Sequence, residues 1–333
     1  MKSLAIDLHA HALIEDVEQL VRGQAGWRSE VEKAARVTGA ASLERNRQLM
    51  TNEWQPALTR IEKRLSAMDR MTVDIQTVSV VPTQYHYWAD RDLAERIVAT
   101  ANQRIAEICA ERPYRLVGLG MVALQHPDLA VAQVQRAVGE FGLKGVMVST
   151  AVNGAELADL RNLPFWSKAE ELGALVFIHP MGCSLGERLT PFYFSNLIGN
   201  PAETTVALAH LVFSGVFDRY PLLKVCAAHG GGYFPFYSAR FDHGWRVRPE
   251  AHSCRLAPSE YLKRIWFDSL VYTPEQLGFL IRQAGASQIV LGSDFPFDMG
   301  VDDPVARLDR LTPLSSADHA AICGGNAAKL LEI

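Results

Sequence analysis

Apolar positions along this chain follow two alternating rhythms. Short, nearly unbroken or alternating apolar runs read as strands at Leu4–Leu8, Asp74–Val81, Arg115–Met121, Gly145–Ser149, Ala174–Ile178, Leu222–Ala227, Ile265–Ser269 and Gln288–Gly292. Between them, apolar residues recur at helical spacing. Leu58–Met71 carries Leu58, Ile61, Leu65 and Met68, and Asp128–Phe141 carries Leu129, Val131, Val134 and Val138. Asp90–Arg112, Pro164–Leu172 and Pro274–Ala284 read the same way, with further helices from about Pro235, Ser316 and Asn326. Asn200-Pro201-Ala202-Glu203 predicts a helix start, with Asn200 as N-cap and the helix running to about Gly215. Arg60, Lys63, Arg64 and Arg70 are expected on the solvated face of the 58–71 helix.

Eight strands, each followed by a helix, imply parallel strands joined by crossover helices. The class is therefore α/β, and the count predicts a (β/α)8 TIM-like barrel spanning residues 1–333 as one domain. An open dinucleotide-binding sheet fits less well. Gly230-Gly231-Gly232 follows a strand but lacks the G-x-G-x-x-G spacing. Residues 13–57 fall outside the rhythm. They are polar, with Glu30, Glu32, Lys33 and Arg36, and are expected to form an insertion after the first strand, near the active-site mouth.

Composition narrows the function class. With 333 residues, 48% hydrophobic and 21% charged, the chain is long enough for one large core. A net charge of −4 argues against a nucleic-acid partner or an anionic membrane surface. No apolar run approaches a membrane span, and the start shows no signal peptide. The five cysteines are scattered, odd in number and without a C-x-x-C pair, which predicts free thiols and a cytoplasmic location.

The chemistry gathers at strand ends. His9 and His11 are two residues apart, so in an extended strand both imidazoles face the same way. His179 ends the fifth strand, His229 follows the sixth and Asp294 follows the eighth. Barrel enzymes place their active sites at these carboxyl ends. Three imidazoles and a carboxylate there predict a mononuclear metal site, and the ligand types suit zinc, manganese or iron. Asp7 shares the face of His9 and His11, either orienting one of them or pairing within the barrel floor. Phe192, Tyr193, Phe194 and Trp88 are candidate walls for a planar substrate.

Asp7-Leu8-His9-Ala10-His11, His179-Pro180, His229-Gly230-Gly231-Gly232 and Gly292-Ser293-Asp294-Phe295-Pro296 together resemble the amidohydrolase superfamily. More narrowly, the chain resembles its metal-dependent decarboxylase branch, of the carboxymuconate-semialdehyde type. Asn200–Thr204, Phe213–Phe217 and Gly324–Ala327 extend the likeness over nearly the whole length. The resemblance implies that His9, His11, His179 and Asp294 hold one divalent ion, usually zinc, with no organic cofactor. It implies that His229, working with Asp294, activates water or shuttles a proton. It further implies a homodimer in which Arg240 reaches across the interface to the carboxylate of a small-molecule substrate. The second substrate arginine matches Arg47, in a segment that departs from the family pattern. The implied substrate is a carboxylated muconate semialdehyde or a related acid of aromatic catabolism.

Two rival functions fit the same residues. A mononuclear hydrolase of a lactone, ester, amide or carbon–carbon bond would use the same residues. A two-metal hydrolase is disfavoured, because Gly145–Thr150 has no bridging lysine at the end of the fourth strand. The other rival is a metal-binding protein without catalysis.

Overall fold

The computed structural model describes residues 4–333. It is an α/β fold built on parallel strands. Ile75–Val80 is flanked by Ile6–Asp7, His11–Ala12 and Leu116–Gly118. A six-stranded sheet runs in the order Ile289–Val290, Trp266–Asp268, Lys224–Ala227, Leu175–Ile178, Gly145–Val148, Gly120–Met121. Backbone hydrogen bonds join the two sheets. Leu8 N–H donates to Leu291 O at 2.9 Å, Asp294 N–H to His9 O at 2.8 Å and His11 N–H to Phe295 O at 2.9 Å. On the other side, Leu119, between Gly118 and Gly120, donates to Val78 O at 2.9 Å.

The apolar runs became strands because both of their faces are covered. Leu175, Val176, Phe177 and Ile178 are fully buried, as are Val225, Cys226 and Ala227. This is the continuous hydrophobicity expected of parallel strands under helices. Most helices follow their predicted spans within a residue or two, while the one expected from about Pro235 begins at Ser238. Pro274–Ala284 is opened by Thr273, whose hydroxyl accepts from Gln276 N–H. Arg91–Glu111 is opened by Asp90, which accepts from Leu93 N–H.

Three expectations need correction. The 58–71 helix is broken at Arg60, where φ −110° and ψ 115° separate Gln55–Thr59 from Ile61–Arg70. Asn200 is not an N-cap: its backbone is helical, and a π-helical turn, Ser195–Gly199, runs directly into Asn200–Phe213. Arg64 is not solvated. It is 2% exposed, lies over the Phe295 ring and donates to Gln76 Oε1 at 2.7 Å and to the carbonyl of His11.

Residues 13–57 form mainly short helices. Ala25–Thr38 has no fully buried side chain, though Trp27 packs half-buried against the core. Polar ties attach it: Glu30 accepts from Trp88 Nε1 at 2.6 Å, and Thr190 Oγ1 donates to Arg36 O at 3.1 Å. Among the described residues, no helix is long and apolar enough to cross a membrane. Cys109, Cys183, Cys226 and Cys254 are free thiols.

Candidate metal centre

The four predicted ligands come together. His9 Nε2 lies 3.2 Å from His11 Nε2, and Asp294 Oδ1 lies 3.2 Å from the first and 3.1 Å from the second. His179 Nε2 is 4.0 Å from the same carboxylate oxygen. All four residues are buried. His229 approaches the other oxygen, with Nε2 3.6 Å from Asp294 Oδ2. Distance alone does not separate His229 from the ligands, since its nitrogen lies within 4.8 Å of those of His9 and His179 and of the Asp294 oxygen.

The partners of the other ring nitrogens reveal what this cluster lacks. His11 Nδ1 meets Val80 O at 3.0 Å, and His179 Nδ1 meets Pro180 O at 2.9 Å. A carbonyl only accepts, so both Nδ1 atoms carry the hydrogen and both Nε2 atoms present lone pairs. His9 Nδ1 donates to Asp268 Oδ2 at 2.7 Å. With all three rings neutral, three lone pairs and a carboxylate oxygen therefore converge with no donor among them, and among the described residues His179 Nε2 is buried without a hydrogen-bond partner. Such a set fits a cation.

The electrostatics agree. Burial pushes His9 towards neutrality, but Asp294 and Asp268 outweigh it and raise the ring to about 10, so a proton is drawn in where a cation belongs. Burial pushes Asp294 up, yet His9, His11 and His229 hold its carboxyl well below the usual range. His179 is pushed well below its ordinary value, by burial first and by the neighbouring imidazoles second.

Asp268 escaped the sequence reading. Its Oδ2 takes the His9 ring and also accepts His229 N–H at 3.0 Å, while Oδ1 accepts Gly230 N–H at 2.8 Å and Leu270 N–H at 3.2 Å. It ends a strand, as the histidines do, and that placement was the available signal. Asp7 resolves towards the floor. It accepts from Ser293 Oγ at 2.5 Å, Gln76 Nε2 at 2.8 Å and His9 N–H at 3.1 Å, and touches no imidazole. Gly232 follows at φ 63°, where an added Cβ would sit 2.1 Å from Pro201 O, so only glycine fits this turn.

A cavity of about 300 Å³ opens beside His229 and Asp294. Its other walls include Asn200, Phe236, Leu270, Tyr272 and Met299, and among the described residues no lysine or arginine lines it. Phe192, Tyr193, Phe194 and Trp88 are not among its walls, and Phe192 is 80% exposed. Arg47 is exposed and paired with Glu44 at 2.5 Å, and Arg240 is exposed on the helix Ser238–Val247. Within this single chain, neither arginine reaches the cavity.

Residues 6–333 match the amidohydrolase family model, Amidohydro_2, and the chain belongs to that family. It is 35% identical to the 2-amino-3-carboxymuconate-6-semialdehyde decarboxylase of Dictyostelium discoideum, over 99% of this chain and 92% of that one. Among solved structures it is similar to a 2,6-dihydroxybenzoate decarboxylase complexed with 2,6-dihydroxybenzoate, at TM-score 0.83 and 25% identity, with 100% of each chain covered. The fold is also shared with the 5-carboxyvanillate decarboxylase LigW of Sphingomonas paucimobilis, at TM-score 0.86 and 24% identity over 100% of both chains.

Proposed function

We propose that this protein is a metal-dependent, cofactor-free decarboxylase of an acid from aromatic catabolism, with a carboxylated muconate semialdehyde as the first substrate to try. The observation that carries this reading is the donor-free convergence of His9, His11 and His179 Nε2 with Asp294 Oδ1, beside a cavity in a chain 35% identical to a decarboxylase of that substrate. The fold is read as one domain, with the two sheets closing into an eight-stranded barrel. The Leu8–Leu291 and Leu119–Val78 backbone bonds support this. Residues 13–57 are read as its insertion, and the cytoplasm as its location.

His9, His11, His179 and Asp294 would hold one divalent ion. Zinc is preferred, and manganese or iron is compatible with the same ligands. When bound, such an ion polarises substrate oxygens and helps to carry developing negative charge. The chain's own residues do the rest. Asp268 fixes the His9 ring and the backbone of His229. The imidazolium form of His229 gives its Nε2 proton to the carbon bearing the carboxylate. The bond from that carbon to the carboxylate then breaks, its electron pair restores conjugation and CO2 leaves. Among the described residues His229 Nδ1 has no partner, so none of them locks the ring in one tautomer, and its side chain is 15% exposed for reprotonation from solvent.

The assembly is read as a homodimer in which Arg240 of one copy serves the site of the other, since among the described residues no lysine or arginine lines the cavity to hold a carboxylate. Arg47 is the weaker second partner, being engaged with Glu44. The deciding assay follows CO2 release from carboxylated muconate semialdehydes and hydroxybenzoates, with metal content measured on the same sample. Incorporation of solvent oxygen without CO2 release would favour the hydrolase instead. For the dimer, mixed His229→Ala and Arg240→Ala chains should regain part of the activity, and mixed dimers without any gain would exclude a shared site.

A further inference from the structure

We propose that Tyr272 sets the size of the acid that this cavity accepts. The inference rests on the decarboxylase reading for the class of ligand and on the structure for the residue. Tyr272 follows the strand Trp266–Asp268 and shares the cavity with His229 and Asp294. Its backbone lies at φ 66°, a left-handed conformation that a bulky aromatic residue rarely adopts. His229 at φ 55° and Asp294 at φ 59° share both this property and the cavity. Strained backbone persists where its surroundings over-determine it, and it gathers at functional sites.

Here the surroundings are explicit. Arg307 Nη1 donates to the Tyr272 carbonyl at 2.9 Å, and the Tyr272 hydroxyl donates to Met299 O at 2.8 Å. Arg307 is itself held by Asp303 at 2.5 Å. The residue is thus pinned at its backbone and at the tip of its ring, across the loops that follow two strands. A ring fastened at both ends is a rigid wall rather than an adjustable one. Its cavity neighbours Leu270, Val271, Phe236 and Met299 are apolar, so on this side discrimination is by shape. A volume of about 300 Å³ is at the small end of ligand pockets.

The test uses metal-loaded protein and two nitrophenol mimics in which a nitro group replaces the carboxylate, one unsubstituted and one with a bulky ring substituent beyond the nitro and hydroxyl groups. Dissociation constants are measured by calorimetry for the wild type, Tyr272→Phe and Tyr272→Gly. Glycine adopts φ 66° without strain, so that variant keeps the backbone and loses the wall. The wild type should prefer the small mimic by tenfold or more, within the roughly 10- to 200-fold range that steric discrimination supplies. Tyr272→Gly should erase at least tenfold of that preference at unchanged metal content. Tyr272→Phe should lose part of the preference, less than Tyr272→Gly does, since the ring stays while its tether to Met299 is lost. A Tyr272→Gly ratio within twofold of the wild type overturns the proposal, as does a wild type that fails to bind the small mimic or does not prefer it. The decarboxylase reading fails separately, if binding behaves as stated and the matching acid releases no CO2.

Discussion

Asp268 receives the Nδ1–H of His9 at 2.7 Å, and the same carboxylate oxygen accepts the backbone N–H of His229 at 3.0 Å. One side chain thus orients a ligand-type imidazole and fixes the residue read as the proton donor. Replacing Asp268 with Asn disturbs both, because the amide cannot accept everywhere the carboxylate does. Loss of a partner of this kind costs about 10- to 100-fold in metal affinity or activity. Asp268→Asn should show that drop in a competitive chelator titration. Unchanged affinity and turnover would assign the residue to folding alone.

Removing the imidazole at position 229 separates chemistry from metal binding. His229→Gln is expected to lower the rate of CO2 release by about 100-fold or more, the range of general acid catalysis, while metal stoichiometry stays at one. If the metal were lost with the ring, His229 would belong to the ligands.

His11→Ala deletes an Nε2 that sits 3.2 Å from its counterpart on His9. The variant should no longer hold metal through a desalting column, and the gain in melting temperature on adding metal should vanish, since that gain comes from binding to the folded state alone. Retained stoichiometric metal would remove His11 from the set.

Arg64→Met leaves the carbonyl of His11 and the Gln76 amide oxygen buried without their donor. Each such loss costs about 1–3 kcal/mol, so the variant should be less stable by roughly 2–6 kcal/mol. A urea melt at unchanged slope measures this. A shift below about 0.5 kcal/mol, the size of an ordinary surface effect, would mean that the guanidinium is not buried as described.

The sequence carried much of this arrangement, because strand ends are easy to read. His9, His11, His179, His229 and Asp294 each follow an apolar run, and a parallel α/β fold turns such positions into neighbours. Asp268 obeyed the same rule but stood beside no other histidine or glycine motif to draw the eye. Arg64 was misplaced because helical periodicity ranks positions by side-chain type. It does not foresee a cation donating to a strand carbonyl beneath the site. Asn200 failed for a related reason: the local start signal was genuine, but the preceding five residues continue the helix through a π turn. Arg47 and Arg240 are exposed and away from the cavity of the single chain, and no hydrophobic pattern in the sequence ties either side chain to the site.

The distance along the chain from His9 to Asp294 has a consequence for synthesis. Asp294 N–H reaches back to His9 O, and Leu8 N–H to Leu291 O, so the first segment is completed by nearly the last. A chain still lacking Ile289 onward has all of the candidate histidine ligands and Asp268, but not the Asp294 carboxylate on which the histidines converge. On the ribosome, the centre is assembled only after almost every other residue has emerged, and a truncation from the carboxyl end removes it before it removes most of the fold.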